Sequence, residues 1–181
     1  MIWNADNADG GQIRHAAIPS RLVMSISPQT PGSSVLVLRT SRRNCAVPLA
    51  YVSEVMRPLP IEPLAGAPAG VPGMAIIRGR VTPVVDLDAL FGDGAPVQSG
   101  SSRFVTLRIG DRTVALLVDA VRTIRTFAWG VFESLPPLWQ GPHPPAVAAL
   151  GAVDRELVFV LETARLLPDD WHPTGREGGN A

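Results

Sequence analysis

GMAIIRGRVTPVVDL, Gly73 to Leu87, decides how the rest of the chain is read. It opens as an apolar run, breaks at Arg78-Gly79-Arg80, and resumes as a β-branched run that ends at Asp86. Strand, short turn, strand is the pattern of a β-hairpin. Gly79 suits the positive φ that such a turn demands. Pro83 brings no N–H to a ladder, so its strand lies at an edge or a barrel corner at that point. Asp86 precedes Leu-Asp-Ala-Leu and is placed to cap a short helical turn. The residues leave two readings of Arg78 and Gly79. In one, Gly79 simply permits the turn and Arg78 is solvated. In the other, Arg78 forks onto a carboxylate and so fixes the face offered to a partner.

The 181 residues suffice for one domain or two small packed ones. At 46% hydrophobic and 18% charged, the chain can bury a sizeable core. Sixteen basic residues, all arginine, balance sixteen acids. A net charge of zero argues against nucleic acid as a partner. Without lysine there is no Schiff-base chemistry and no P-loop. Cys45 is the single cysteine, so no internal disulfide forms, and its strand-like setting suits a buried thiol. MIWNADNADGG has neither a basic region nor an apolar core of the signal-peptide kind, and no run is long enough to span a bilayer. The expectation is a cytoplasmic protein without membrane insertion.

Residues 1–34 read as a flexible arm, 35–167 as the ordered domain, and 168–181 as a polar tail. Within the domain, short β-branched runs alternate with turn residues and no sustained helical period appears, so the fold class is all-β. Prolines at 58, 60, 63, 68 and 72 make an extended loop before the hairpin, and GDGAPVQSGSS (92–102) reads as a linker. The chain also echoes itself. Leu38-Arg39, Ala46, Val52 and Val55 recur as Leu107-Arg108, Ala115, Val121 and Ile124, 69 positions on. Val81, Val84, Val85, Asp86 and Leu90 recur as Leu157, Val160, Leu161, Glu162 and Leu166, 76 positions on. Two similar halves, about 35–92 and 103–167, are therefore expected as two small barrels. Halves this short bury little core alone and should share an interface.

At this point the chain resembles the CheW-like family of chemotaxis coupling proteins. The likeness rests on Gly73, Arg78-Gly79 and Pro83-Val84-Val85-Asp86-Leu87, and on VLVLRTSRRNCAVPLAYVSEV, VALLVDAV and ELVFVLETARLL, in that order along residues 35–167. It implies two packed SH3-like five-stranded β-barrel subdomains and a non-enzymatic adaptor. The implied partners are the cytoplasmic tip of a chemoreceptor and a CheA-type histidine kinase. Receptor contact is implied around Val52, Glu54, Gly73, Arg78 and Gly79 near the barrel junction. Kinase contact is expected on an apolar face that includes Val114 and Leu116. One position departs from the pattern: the family places Asn two residues before the arginine, and this chain has Ile76. Asparagine can bond the backbone of its own turn and isoleucine cannot. That departure leaves open an adaptor of a non-flagellar chemosensory pathway.

No other constellation competes. Asp86, Asp88 and Asp93 are too few oxygen ligands for a metal. His15 and His172 lie in the tails and His143 in a proline-rich loop, poor places for a positioned base. No nucleotide, zinc or redox motif is present, so neither a cofactor nor an enzymatic activity is expected. Trp129, Trp139 and the prolines of 134–146 could recognise a polyproline segment, or form a cover over the barrel junction.

Overall fold

The computed structural model describes residues 33–93, 99–127, 132–134, 146–168 and 171. Residues 1–32 of the expected arm, most of the tail, and the Trp129–Trp139 loop apart from residues 132–134 lie outside these residues, while Ser33 and Ser34, expected in the arm, belong to the first strand. Among the described residues, twelve strands build two six-stranded sheets. The first half supplies β1 (Ser33–Arg39), β2 (Asn44–Pro48), β3 (Val52–Met56), β4 (Glu62–Pro63), β5 (Gly73–Ile77) and β6 (Arg80–Asp86). A single helical turn, α1 (Leu87–Leu90), follows. The second half supplies β7 (Arg103–Ile109), β8 (Arg112–Val118), β9 (Ala120–Phe127), β10 (Phe132–Ser134), β11 (Val147–Val153) and β12 (Glu156–Leu161).

The internal echo is realised strand by strand. One sheet runs β10-β11-β12-β2-β1-β9, and the other, read from its far end, runs β4-β5-β6-β8-β7-β3. The two orders are the same once each strand is replaced by its repeat counterpart. The registers match as well. Val160 lies beside Ala46 in the parallel β12–β2 pair, and their counterparts Val84 and Ala115 lie side by side in the parallel β6–β8 pair. Val52 opposes Leu107 while Val121 opposes Leu38, and both pairings shift one residue later, past Ser53 and past Arg122. A bulge conserved between repeats marks a designed bend.

The halves are nevertheless not the sheets. Each two-stranded hairpin, β1–β2 or β7–β8, is completed by strands of the other half. Both sheets are rolled. β3 ends its sheet and β5 lies four places along it, yet Glu54 on β3 meets Arg78 in the β5–β6 turn at 2.8 Å. β9 meets the β11–β12 turn in the same way, Arg125 to Asp154 at 2.7 Å. Two barrels packed side by side result, as expected, but the first is built from β3 to β8 and the second from β1, β2 and β9 to β12, so neither is one of the contiguous halves.

Burial follows this plan. Among the described residues, eighteen buried apolar side chains form one core shared by both sheets, including Leu36, Cys45 and Val47 from one and Val85, Leu107 and Leu116 from the other. Six more, around Phe104, fill the first barrel under Met56, Leu59 and Ile61, and four, around Val37, line the second. At roughly 1.5–3 kcal/mol per buried aliphatic side chain, the shared layer dominates. Polar contacts lock the β1–β2 turn to α1: Ser41 donates its backbone N–H and its hydroxyl to Asp88, and Arg43 pairs with Asp93. Pro83 fits because the pairing of β6 with β8 starts only at Val84. Asp86 caps α1, accepting from the N–H groups of Asp88 and Ala89 at 2.8 and 3.2 Å.

Candidate functional site

The quoted stretch folds as the expected hairpin. Ile77 opposes Arg80, and the two residues between them, Arg78 and Gly79, have φ of 51° and 74°. Two successive positive φ values make the type I′ turn whose twist matches its flanking strands. The turn projects Arg78 toward β3. Its guanidinium forks onto Glu54, Nη2 to Oε2 at 2.8 Å and Nε to Oε1 at 3.4 Å. Hydrogen bonding from Arg78, aided by its charge, holds the Glu54 carboxyl below its ordinary value, and Glu54 raises the guanidinium in return. Arg78 is 77% exposed, so the pair contributes little to stability. Its geometric effect is larger: it pins the hairpin tip to the edge strand and closes the first barrel.

The strands that carry the fork also expose apolar side chains. Ile76 and Val81 oppose one another across the hairpin and are 66% and 67% exposed. Val55, beside Glu54 on β3, is 43% exposed. The departure at Ile76 therefore sits on an open surface, where asparagine would have left a polar face. The position was visible in the sequence. Its exposure was not, because a continuous apolar run gives no sign of where a hairpin outgrows the core.

The remaining expected residues divide. Val52 is half-buried at the β3 bulge and packs on the shared core. Gly79 is exposed at the turn. Gly73 is buried, and its role is close approach: a Cβ there would lie 2.1 Å from the Glu62 carbonyl oxygen. Val114 and Leu116 must be reassigned. They are 2% and 0% exposed in the shared core, because β8 runs through the middle of its sheet with β7 and β6 on either side. They offer no surface to a kinase. Cys45 is wholly buried, and burial pushes its thiol up to about 12, far from any nucleophilic range. Among the described residues no three His, Cys, Asp or Glu side chains are grouped to hold a metal ion, and no helix is long and apolar enough to cross a membrane.

An all-β pair of rolled sheets whose distinctive feature is an exposed hairpin tip defines a class of recognition module. The chain belongs to the CheW-like domain family, whose model matches residues 34–170. It is 25% identical over 139 residues to the chemotaxis protein CheW of Rhizobium meliloti, covering 77% of this chain and 90% of that one. It is 31% identical over 107 residues to the protein PilI of Pseudomonas aeruginosa, covering 59% and 60%. The scaffolding protein TtCheW of Thermoanaerobacter tengcongensis has the same fold, with a TM-score of 0.64 over 73% of this chain and 89% of that one, at 23% identity.

Proposed function

We propose that this protein is a non-enzymatic adaptor that couples chemoreceptors to a CheA-type histidine kinase in chemotaxis signal transduction. Family membership and relatives named for chemotaxis support this reading. The observation that carries it is the Arg78–Glu54 fork, exposed at the tip of a hairpin whose strands also expose Ile76 and Val81. An oriented arginine amid open apolar side chains suits docking far better than it suits a reaction. The receptor's cytoplasmic tip docks at Val52, Glu54, Arg78 and Gly79, and the kinase uses other exposed barrel surface. Holding both partners on one rigid body links receptor state to kinase activity. The protein works in the cytoplasm and is recruited to receptor arrays at the membrane. The test is co-sedimentation with receptor fragment and kinase. Arg78→Ala should remain folded yet lose receptor at least tenfold more readily; unfolding with no separate binding defect would overturn the assignment.

A second reading keeps the adaptor and changes the pathway to a non-flagellar chemosensory one. Ile76 in place of the family's asparagine and the likeness to a relative named PilI favour it. A pull-down that recovers a receptor together with a kinase of another pathway would decide for it.

A further inference from the structure

The repeat that makes the two barrels alike also shows where they differ. In the first, Phe104 fills the interior under Met56, Leu59 and Ile61. In the second, the buried apolar set among the described residues is Val35, Val37, Ala46 and Val158. Val35 stands 69 positions before Phe104 and is its repeat counterpart, and Arg125 is the counterpart of Met56. Valine for phenylalanine and arginine for methionine leave space that the first barrel lacks. A cavity of about 250 Å³ opens there. Val37, Val158 and Asn44 form its buried side, and Arg122, Arg125, Asp154 and Glu156 its charged rim.

Asn44 is 7% exposed. Its Nδ2 donates to Glu156 Oε2 at 2.7 Å, which fixes the carboxamide, since a flipped amide would set oxygen against oxygen. Its Oδ1 is then buried with no hydrogen-bond partner. Buried acceptors are rarely left so, and this one belongs to a cavity-lining residue. On the rim, Arg125 donates to Asp154 at 2.7 Å. Arg122 comes only to 3.7 Å from Glu156, too far for a hydrogen bond, so its guanidinium keeps donors for another acceptor.

We propose that this cavity binds a small aliphatic α-amino acid as its zwitterion. The carboxylate takes the fork of Arg122. The ammonium enters beside Glu156, whose charge it meets, and supplies the donor that Asn44 Oδ1 lacks. Val37 and Val158 receive the side chain. Charge selects the class. A simple anion is opposed by Asp154 and Glu156, and a simple cation by Arg122 and Arg125, whereas a molecule carrying both charges meets a partner for each. Volume sets the size: the cavity lies just below the roughly 300–1,000 Å³ of ordinary ligand pockets, so the occupant is small. The site belongs to the sheet that does not carry the Arg78–Glu54 fork, so its occupancy and receptor docking are read separately.

The full-length chain, labelled with nitrogen-15, is titrated by NMR with each of the common L-amino acids up to about 10 mM, in a buffer free of amine, carboxylate and sulfonate groups. A short aliphatic amino acid should move the Asn44 side-chain amide signal and bind with a Kd of about 1 mM or tighter. Its carboxamide, its N-acetyl derivative and its N-trimethyl betaine should each bind at least about tenfold more weakly. The betaine is the sharpest of the three, because it keeps both charges and loses only the N–H donors that Asn44 Oδ1 requires. Arg122→Gln and Glu156→Gln alter half-exposed side chains, so both should melt as the parent does while weakening binding at least about fivefold. No amino acid that moves the Asn44 signal, a betaine that binds as tightly as its parent, or folded variants that bind undiminished would each overturn the proposal.

Discussion

Replacing Gly73 by alanine should cost the protein about 3 kcal/mol of stability, by overpacking and lost pairing. An added methyl carbon would sit 2.1 Å from the Glu62 carbonyl oxygen and 2.7 Å from its carbon, where real contacts need more than 3.0 Å. Both atoms are backbone, so no side chain can swing aside. Relief requires β4 to move off β5, and β4 is only two residues long. Overpacking alone costs about 1–3 kcal/mol. Losing the pairing of Glu62 with Met74 and Pro63 with Gly73 adds about 1 kcal/mol per hydrogen bond broken. Ile61, which packs against the first barrel's core, would loosen with them. In a chain of this size about 3 kcal/mol lowers the melting temperature by roughly 6–12 °C. Urea and thermal unfolding measure this directly, and receptor binding is then measured well below the new transition. The expected result is a less stable protein that binds normally when folded. A variant that melts within about 2 °C of the parent but no longer binds receptor would refute the reasoning, since Gly73 would then act at the docking surface and not in the packing.

Four further outcomes follow. Arg78→Ala should let the Glu54 carboxyl titrate upward toward its ordinary 4.5, read by NMR; in the parent the fork's contribution is full above that value and fades as pH falls through the depressed one, so an unmoved titration would deny the fork in solution. Burial raises Asp86 above its ordinary 3.8, so it binds its proton more tightly folded than unfolded and stability declines as pH rises through that interval. Asp86→Asn, which keeps the acceptor that caps α1, should flatten this decline at nearly unchanged stability, whereas Asp86→Ala should lose about 1 kcal/mol with the cap, both read from urea midpoints against pH. Cys45 should resist thiol reagents at pH 8 until denaturant unfolds the chain, its labelling then tracking the unfolding transition; prompt labelling of native protein would contradict its burial. Ile76→Asn should change stability by less than about 0.5 kcal/mol, being exposed, while altering which receptor fragment is captured.

Much of the architecture was legible in the chain. The offsets that align Ala46 with Ala115 and Val84 with Val160 reappear as identical ladder registers, because a repeated pattern of apolar residues fixes which face of a strand is buried. The hairpin at Arg78-Gly79 and the cap at Asp86 are local chemistry and legible as such, and Pro83 stands where β6, though inside its sheet, is still open on the β8 side. Pairing is different. Repeat order states which strands are alike and says nothing of which ones meet, so the exchange of strands between halves had no signature. The site shows the same division. Glu54 and Arg78 are legible through the family resemblance, whereas the burial of Val114 and Leu116 is not, because a strand in mid-sheet and a strand at an edge look alike as apolar runs. The exposure of Val55 and Val81 is hidden for the converse reason.

The exchange of strands sets a timetable for the newborn chain. β2 lies between β1 and β12, and the β12 side of that slot is filled by residues that leave the ribosome more than a hundred positions later. Until Val158 to Val160 emerge, the first hairpin carries an open edge with buried-type side chains and no neighbour on that side. The first barrel, built from Val52 to Val118, can close earlier. The amino-terminal hairpin is therefore made first and finished last, and the stretch of synthesis between the two is when this protein is most open to clumping or to a helping chaperone.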